Sequence, residues 1–175
     1  RLISPKLFLE NVPKAAELRT NEGRLSLEIV SHCWQYSHLM AYNLSAYVNY
    51  PPKEIDVTVT VFYSPEDIDT VDTLNFFEKN VIEGVTWNWQ PLATEALFRR
   101  AIGRNKAALA TKADWIWYID CDLIFYEGCL DALNQELQNR NDILLFPNSE
   151  NITPLLDSEN LVLKKHSEPK TVDID

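Results

Sequence analysis

Asp120 and Asp122 stand one residue apart, directly after the apolar run Trp115-Ile116-Trp117-Tyr118-Ile119. Two carboxylates that close repel each other unless a cation joins them, and a hard divalent ion is the natural third party. If the segment stays extended, the strand period of two sends both carboxylates one way and Cys121 the other. The apolar run has the pattern of a strand buried on both faces, as inner strands of parallel sheets are. Ligands of open α/β sheets bind at the carboxyl ends of strands, so the pair is expected at a ligand-binding edge. The bland alternative is a strand-to-loop turn capped by aspartates.

One strand–helix step earlier lies a second polar group. Residues 94–111 have a helical pattern with Leu97, Ala101, Ile102, Asn105, Ala108 and Leu109 on one face. An amide on an apolar stripe must find partners or cost roughly 1–3 kcal/mol. Arg104 precedes Asn105, and Arg100 lies one turn back. Such a group suits an anionic or ribose-bearing ligand. Alternatively, backbone groups satisfy the amide and both arginines are solvated.

The remaining elements must bring these two groups together. Strands are expected over residues 25–30, 57–62, 85–89, 115–119 and 143–146, with one more short strand over 161–163. Helices are expected between them. The first is capped by Ser37, carries Met40, Leu44, Tyr47 and Val48 on one face, and is stopped by Pro51-Pro52. The second carries Val71, Leu74, Phe77 and Val81. The third runs over 94–111 with Thr94 as its cap, and the fourth over 127–137 with Leu130, Leu133 and Leu137. Strands alternating with helices give a Rossmann-like, mostly parallel α/β sheet with helices on both faces. Residues 1–24 read as an extension packed on the domain, with a short helix at 14–18, and residues 151–175 as a tail or the start of a further part.

A chain of 175 residues suits one domain, and its net charge of −10 disfavours a general nucleic-acid binder. No run approaches the roughly 18 apolar residues of a membrane span. Cys33, Cys121 and Cys129 are odd in number and lack CxxC spacing, so free thiols in a reducing, cytoplasmic compartment are expected. Peripheral attachment to a membrane is compatible with that location.

Arg104-Asn105-Lys106-Ala107-Ala108 followed by Ala113-Asp114-Trp115-Ile116-Trp117-Tyr118-Ile119-Asp120-Cys121-Asp122 resembles the core of GT-A fold nucleotide-sugar glycosyltransferases. The similarity is greatest to the large inverting family that includes cellulose, hyaluronan and chondroitin synthases, and loosely covers residues 25–146. It implies transfer of a sugar from a nucleotide-sugar donor, UDP-linked, to a saccharide, lipid or protein acceptor, with inversion. It also implies that Asp120 lies near the ribose and metal, that Asp122 binds Mn²⁺ or Mg²⁺ bridging the donor diphosphate, and that Arg104 and Asn105 hold the nucleotide side.

Two stretches depart from the family pattern. Where its second strand ends in an acid-containing turn, this chain has Ser64-Pro65-Glu66-Asp67. Either Glu66 or Asp67 takes the place of that acid, or neither does. Where its first strand ends in a Pro-x-Tyr-Asn-like loop, this chain has Ser31-His32-Cys33-Trp34. Trp34 there either stacks on the base or packs in the core. His32 is expected to be a hydrogen-bonded structural residue, and Trp87, Trp89, Trp115 and Trp117 to be core, with sugar stacking by Trp89 a minor option. Glu150, Asp157, Glu159 and His166 lack a surrounding motif, so no catalytic base is assigned and one is expected beyond residue 175.

Two other readings compete. A catalytically silent nucleotide-sugar-binding or scaffold domain would keep the aspartates for structure. A haloacid-dehalogenase-type phosphatase also carries Asp-x-Asp at a strand end, but on its first core strand and with a different continuation from Leu123-Ile124-Phe125.

Overall fold

The structure, a computed structural model, describes residues 20–141, 144–147, 149 and 151–174. Four strands form its sheet: β1 (Ser26–Cys33), β2 (Asp56–Tyr63), β3 (Val85–Pro91) and β4 (Trp115–Tyr118). Their order is β3-β2-β1-β4 and every pairing is parallel. Parallel neighbours require crossover connections. These are α1 (Ser37–Asn49), α2 (Ile68–Glu78) and the pair α3 (Thr94–Leu97) and α4 (Arg100–Ala110), with α5 (Cys129–Glu136) following β4.

The two sheet faces are built differently. On one, Leu27, Ile29, Val57, Val59 and Val61 pack with Met40, Leu44 and Tyr47 of α1, Leu74 and Phe77 of α2, and Leu130 of α5. On the other, Val30 and Phe62 pack with Leu97 and with Ala107 of α4. The result is a Rossmann-like α/β architecture.

The second face also carries a polar ladder, buried at its inner end. Thr60 Oγ1 donates to Glu28 Oε1 at 2.6 Å, Asn88 Nδ2 donates to Thr60 Oγ1 at 2.9 Å, and Gln90 Nε2 donates to Asn88 Oδ1 at 2.6 Å. Glu28 and Thr60 are both buried. Thr60→Val keeps the shape but takes a donor from a buried carboxylate, so urea unfolding should show a loss of about 1.5–3 kcal/mol. A loss below about 0.5 kcal/mol would mean that water replaces the hydroxyl.

Several expectations need correction. Ser37 is the first residue of α1 and not its cap. Val81 lies beyond the end of α2 and is fully exposed. The helix expected over 94–111 is two helices, because Arg99 takes a non-helical ψ of 73°. Thr94 does not cap it; its hydroxyl instead bonds Ser64 Oγ at 2.8 Å and Glu66 Oε2 at 2.7 Å. Residues 161–163 form a single 3-10 turn, Leu161–Leu163, and not a strand. Leu144, Leu145 and Phe146 join no ladder, while Ile143 and the helix expected at 14–18 lie outside the described residues. Among the described residues β4 therefore pairs only with β1 and is half-exposed rather than buried on both faces.

The last described residues return to α1. Val172 N donates to Ser45 Oγ and Asn49 Nδ2 donates to the Val172 carbonyl, both at 2.8 Å, and Ile174 is buried. No described helix is long and apolar enough to cross a membrane.

Candidate functional site

The chain runs from β1 outward to β2 and β3, then returns to place β4 on the other side of β1. The crossovers on the two sides of β1 lie on opposite faces, which opens a crevice at the carboxyl ends of β1 and β4. Open α/β sheets bind ligands at such a reversal of strand order. A cleft of about 400 Å³ lies there. Its walls are His32, Cys33, Trp34 and Tyr36 after β1, Leu97, Phe98 and Arg100 at the α3–α4 junction, and Asp120, Cys121 and Asp122 after β4.

The ladder continues one step past β4, where Ile119 N donates to the Val30 carbonyl at 3.0 Å. Asp120 and Asp122 are exposed on the cleft wall, while Cys121 between them is buried and lines the cleft only at its floor. Exposure alternates as inferred, but the segment does not stay extended: the chain turns at Cys121 and Asp122. The turn is anchored from behind: Leu123 N donates to the Asp120 carbonyl at 3.3 Å, and the buried Asn43 of α1 donates to the Leu123 carbonyl at 2.5 Å.

The arginine that meets the aspartates is Arg100. Its Nη1 lies 2.6 Å from Asp120 Oδ1, with both side chains more than half exposed, so the pair adds little stability but brings positive charge to the cleft. Arg104 sits over the Tyr118 ring at 5.5 Å, and its carbonyl accepts from the Tyr118 hydroxyl at 3.2 Å. Asn105 is exposed, outside the cleft lining, and not on a buried stripe. The buried face of α4 is Gly103 and Ala107, whereas Ile102 and Leu109 face outward. A Cβ at Gly103 would fall 2.2 Å from His32 Nε2 and 2.9 Å from the Phe62 ring. Small residues let α4 lie close on the sheet, and this close approach outweighs the larger apolar side chains.

Trp34 is half-buried and packs edge-on to Phe98, with centroids 5.6 Å apart, while still lining the cleft. Tyr36 and Phe98 are largely exposed beside it, giving the cleft an aromatic wall. Glu66 and Asp67 lie after β2, outside the cleft lining. Glu66 accepts from Thr94, and Asp67 is the buried cap of α2. Trp87 and Trp89 stack on each other against the core, as do Trp115 and Trp117 individually.

His32 lines the cleft, but not as the hydrogen-bonded residue expected from the sequence. It stacks on Phe62 at 5.1 Å, and its buried Nε2 has no hydrogen-bond partner among the described residues. Burial holds its pKa down to about 4, with Arg104 and Arg100 adding to the effect and Asp120 opposing it. A histidine neutral in the fold but protonated when unfolded stabilises fully above its ordinary pKa of about 6.5, and that contribution is lost as pH falls toward 4. His32→Gln should therefore flatten the pH dependence of stability between about 6.5 and 4, measured by urea unfolding across that window. An unchanged slope would mean that His32 is solvated.

The donor set can be weighed for a divalent cation. Among the described residues no group of three or more His, Cys, Asp or Glu side chains could form an all-protein cage. Mg²⁺ and similar ions in phosphate-handling sites use one or two carboxylates together with substrate phosphates and water. Asp120 and Asp122 on one cleft wall fit that second pattern. Cys33, Cys121 and Cys129 are free thiols.

No protein-family model matches the chain, and no curated protein matches it. The site's own chemistry therefore carries the functional reading.

Proposed function

We propose that the chain is the donor-binding part of a GT-A-type glycosyltransferase that takes a UDP-linked sugar with Mn²⁺ or Mg²⁺. The observation that carries this reading is the position of Asp120 and Asp122 together in the switch-point cleft, facing an aromatic wall and flanked by Arg100. Both carboxylates would hold the cation, whose chemistry when bound is to neutralise the charge of a departing diphosphate. Arg100 is placed to release Asp120 to the cation and turn toward phosphate oxygens. Trp34 offers a flat face for the base or sugar. Arg104, over Tyr118 and outside the cleft lining, would act through its charge near His32 in place of direct contact.

In the transfer, the acceptor oxygen would bond to the anomeric carbon as the bond to the diphosphate oxygen breaks. The acceptor proton would go to a carboxylate base. Inversion follows from a single displacement.

Thermal unfolding with UDP, UDP-sugars and other nucleotides, each with and without Mn²⁺, tests the reading. Stabilisation is expected only when UDP or a UDP-sugar and the metal are both present, and should reach about 2.7 kcal/mol at a hundredfold excess over Kd. No shift with any nucleotide–metal pair would sink it. Slow metal-dependent donor hydrolysis would separate an enzyme from a silent binder.

A further inference from the structure

We propose that Cys33 and Cys121 form a redox-active dithiol on the floor of the cleft, which a peroxide closes to an intramolecular disulfide. The proposal concerns the thiols alone and stands whether or not the cleft binds a nucleotide-sugar.

Strand register brings the pair together. Val30 is opposite Tyr118 in the β1–β4 ladder, and the Ile119 N to Val30 carbonyl bond carries the pairing onward. Beyond β4 the chain turns at Cys121, which brings that residue beside the end of β1, where Cys33 is the last residue. Adjacent strands are about 4.8 Å apart, inside the Cα separation of about 4.4–6.8 Å that a disulfide spans. Both cysteines belong to the same buried cluster beneath α1 and α2. The neighbouring Cys121 is the main influence that holds the Cys33 thiol below its usual range. Cys33 Sγ is further held 3.4 Å from the Thr70 hydroxyl.

Burial alone would make two cysteines inert small hydrophobes. These two differ because both line the open cleft, which gives a small oxidant a route to sulfur. Cys129, at the start of α5, packs against the same cluster but is outside the cleft lining.

The chemistry balances without a further reagent. One thiolate attacks a peroxide oxygen, the O–O bond breaks, and a sulfenic acid forms with release of hydroxide, which takes up a proton to become water. The second sulfur attacks the sulfenic sulfur, the S–O bond breaks, and a second water leaves. Two thiols are oxidised by two electrons and one hydrogen peroxide is reduced to two waters. The new bond ties the end of β1 to the Asp120–Asp122 turn and so fixes the spacing of two cleft walls.

The test treats the folded full chain with hydrogen peroxide, alkylates the remaining thiols, and combines intact mass with peptide mapping. The expected result is a loss of two hydrogens, one alkylated cysteine that maps to Cys129, and a Cys33–Cys121 linked peptide that dithiothreitol reverses. Cys129→Ser should form the same link, and Cys33→Ser and Cys121→Ser should not. Because a serine at a buried position can prevent folding, the wild-type peptide map decides. Three alkylated cysteines after peroxide, a link through Cys129, a link only between molecules, or equally fast linkage in urea would each overturn the proposal.

Discussion

Asp122→Ala should abolish the Mn²⁺-dependent stabilisation by UDP while leaving the unfolding of the free protein unchanged within about 0.5 kcal/mol. The two halves of that expectation come from different features of the side chain. Asp122 is exposed on the cleft wall, so its removal opens no cavity and strands no buried donor. It also faces the same space as Asp120, whose Oδ1 is already shared with Arg100, so Asp122 is the carboxylate freer to meet a cation. Asp120→Ala is a less clean probe, because it also releases Arg100 and changes the charge around His32. Thermal shifts of wild type and Asp122→Ala across a Mn²⁺ series, with UDP and with UDP absent, measure both halves. A full nucleotide–metal shift in the variant removes Asp122 from the ligand set. A large loss of stability in the free variant would instead assign the aspartate to the fold.

The β-branched run of β2, the Pro51-Pro52 stop of α1 and the Leu130/Leu133 pair of α5 are local signals, and each marked its element. The all-parallel sheet follows from their alternation. The position of the aspartates was legible for the same reason, since a period of two does not depend on tertiary contacts. What could not be read locally was which face of α4 the sheet would accept. Ile102 and Leu109 weigh more in any apolar stripe than Gly103, yet Gly103 is the residue that His32 and Phe62 leave room for. Rotating the helix to that face moves Asn105 outward and sets Arg104 over Tyr118. Similarly, nothing around Arg99 marks a helix break; the non-helical turn there lets Arg100 meet Asp120. The acidic turn after β2 was ambiguous because a capping aspartate and a ligand aspartate have the same sequence signature.

Asp67→Ala separates those two meanings, and the capping role predicts a large effect. The buried Asp67 carboxylate accepts from Gln35 N at 2.5 Å, from Thr70 Oγ1 at 2.7 Å and from Thr70 N at 3.4 Å. Gln35 has a φ of 58°, a left-handed conformation that costs a side-chain-bearing residue about 1–2 kcal/mol. The bond from its N–H to Asp67 is what holds it there, between Trp34 and Tyr36 of the aromatic wall. Truncation would remove the α2 cap and leave the Gln35 donor and the Thr70 hydroxyl to find other partners. The expected loss is on the order of 3 kcal/mol, or roughly 6–12 °C in Tm. Asp67→Asn retains an acceptor oxygen and should lose less than half as much. Gln35→Gly, made in the Asp67→Ala background, should recover part of the loss because glycine adopts that φ without a Cβ penalty. Were Asp67 a nucleotide ligand instead, the alanine variant would keep its Tm and lose only its response to UDP and Mn²⁺. A denaturation curve and a ligand-shift curve on the same variant decide between the two, since a cap acts on the first and a ligand on the second.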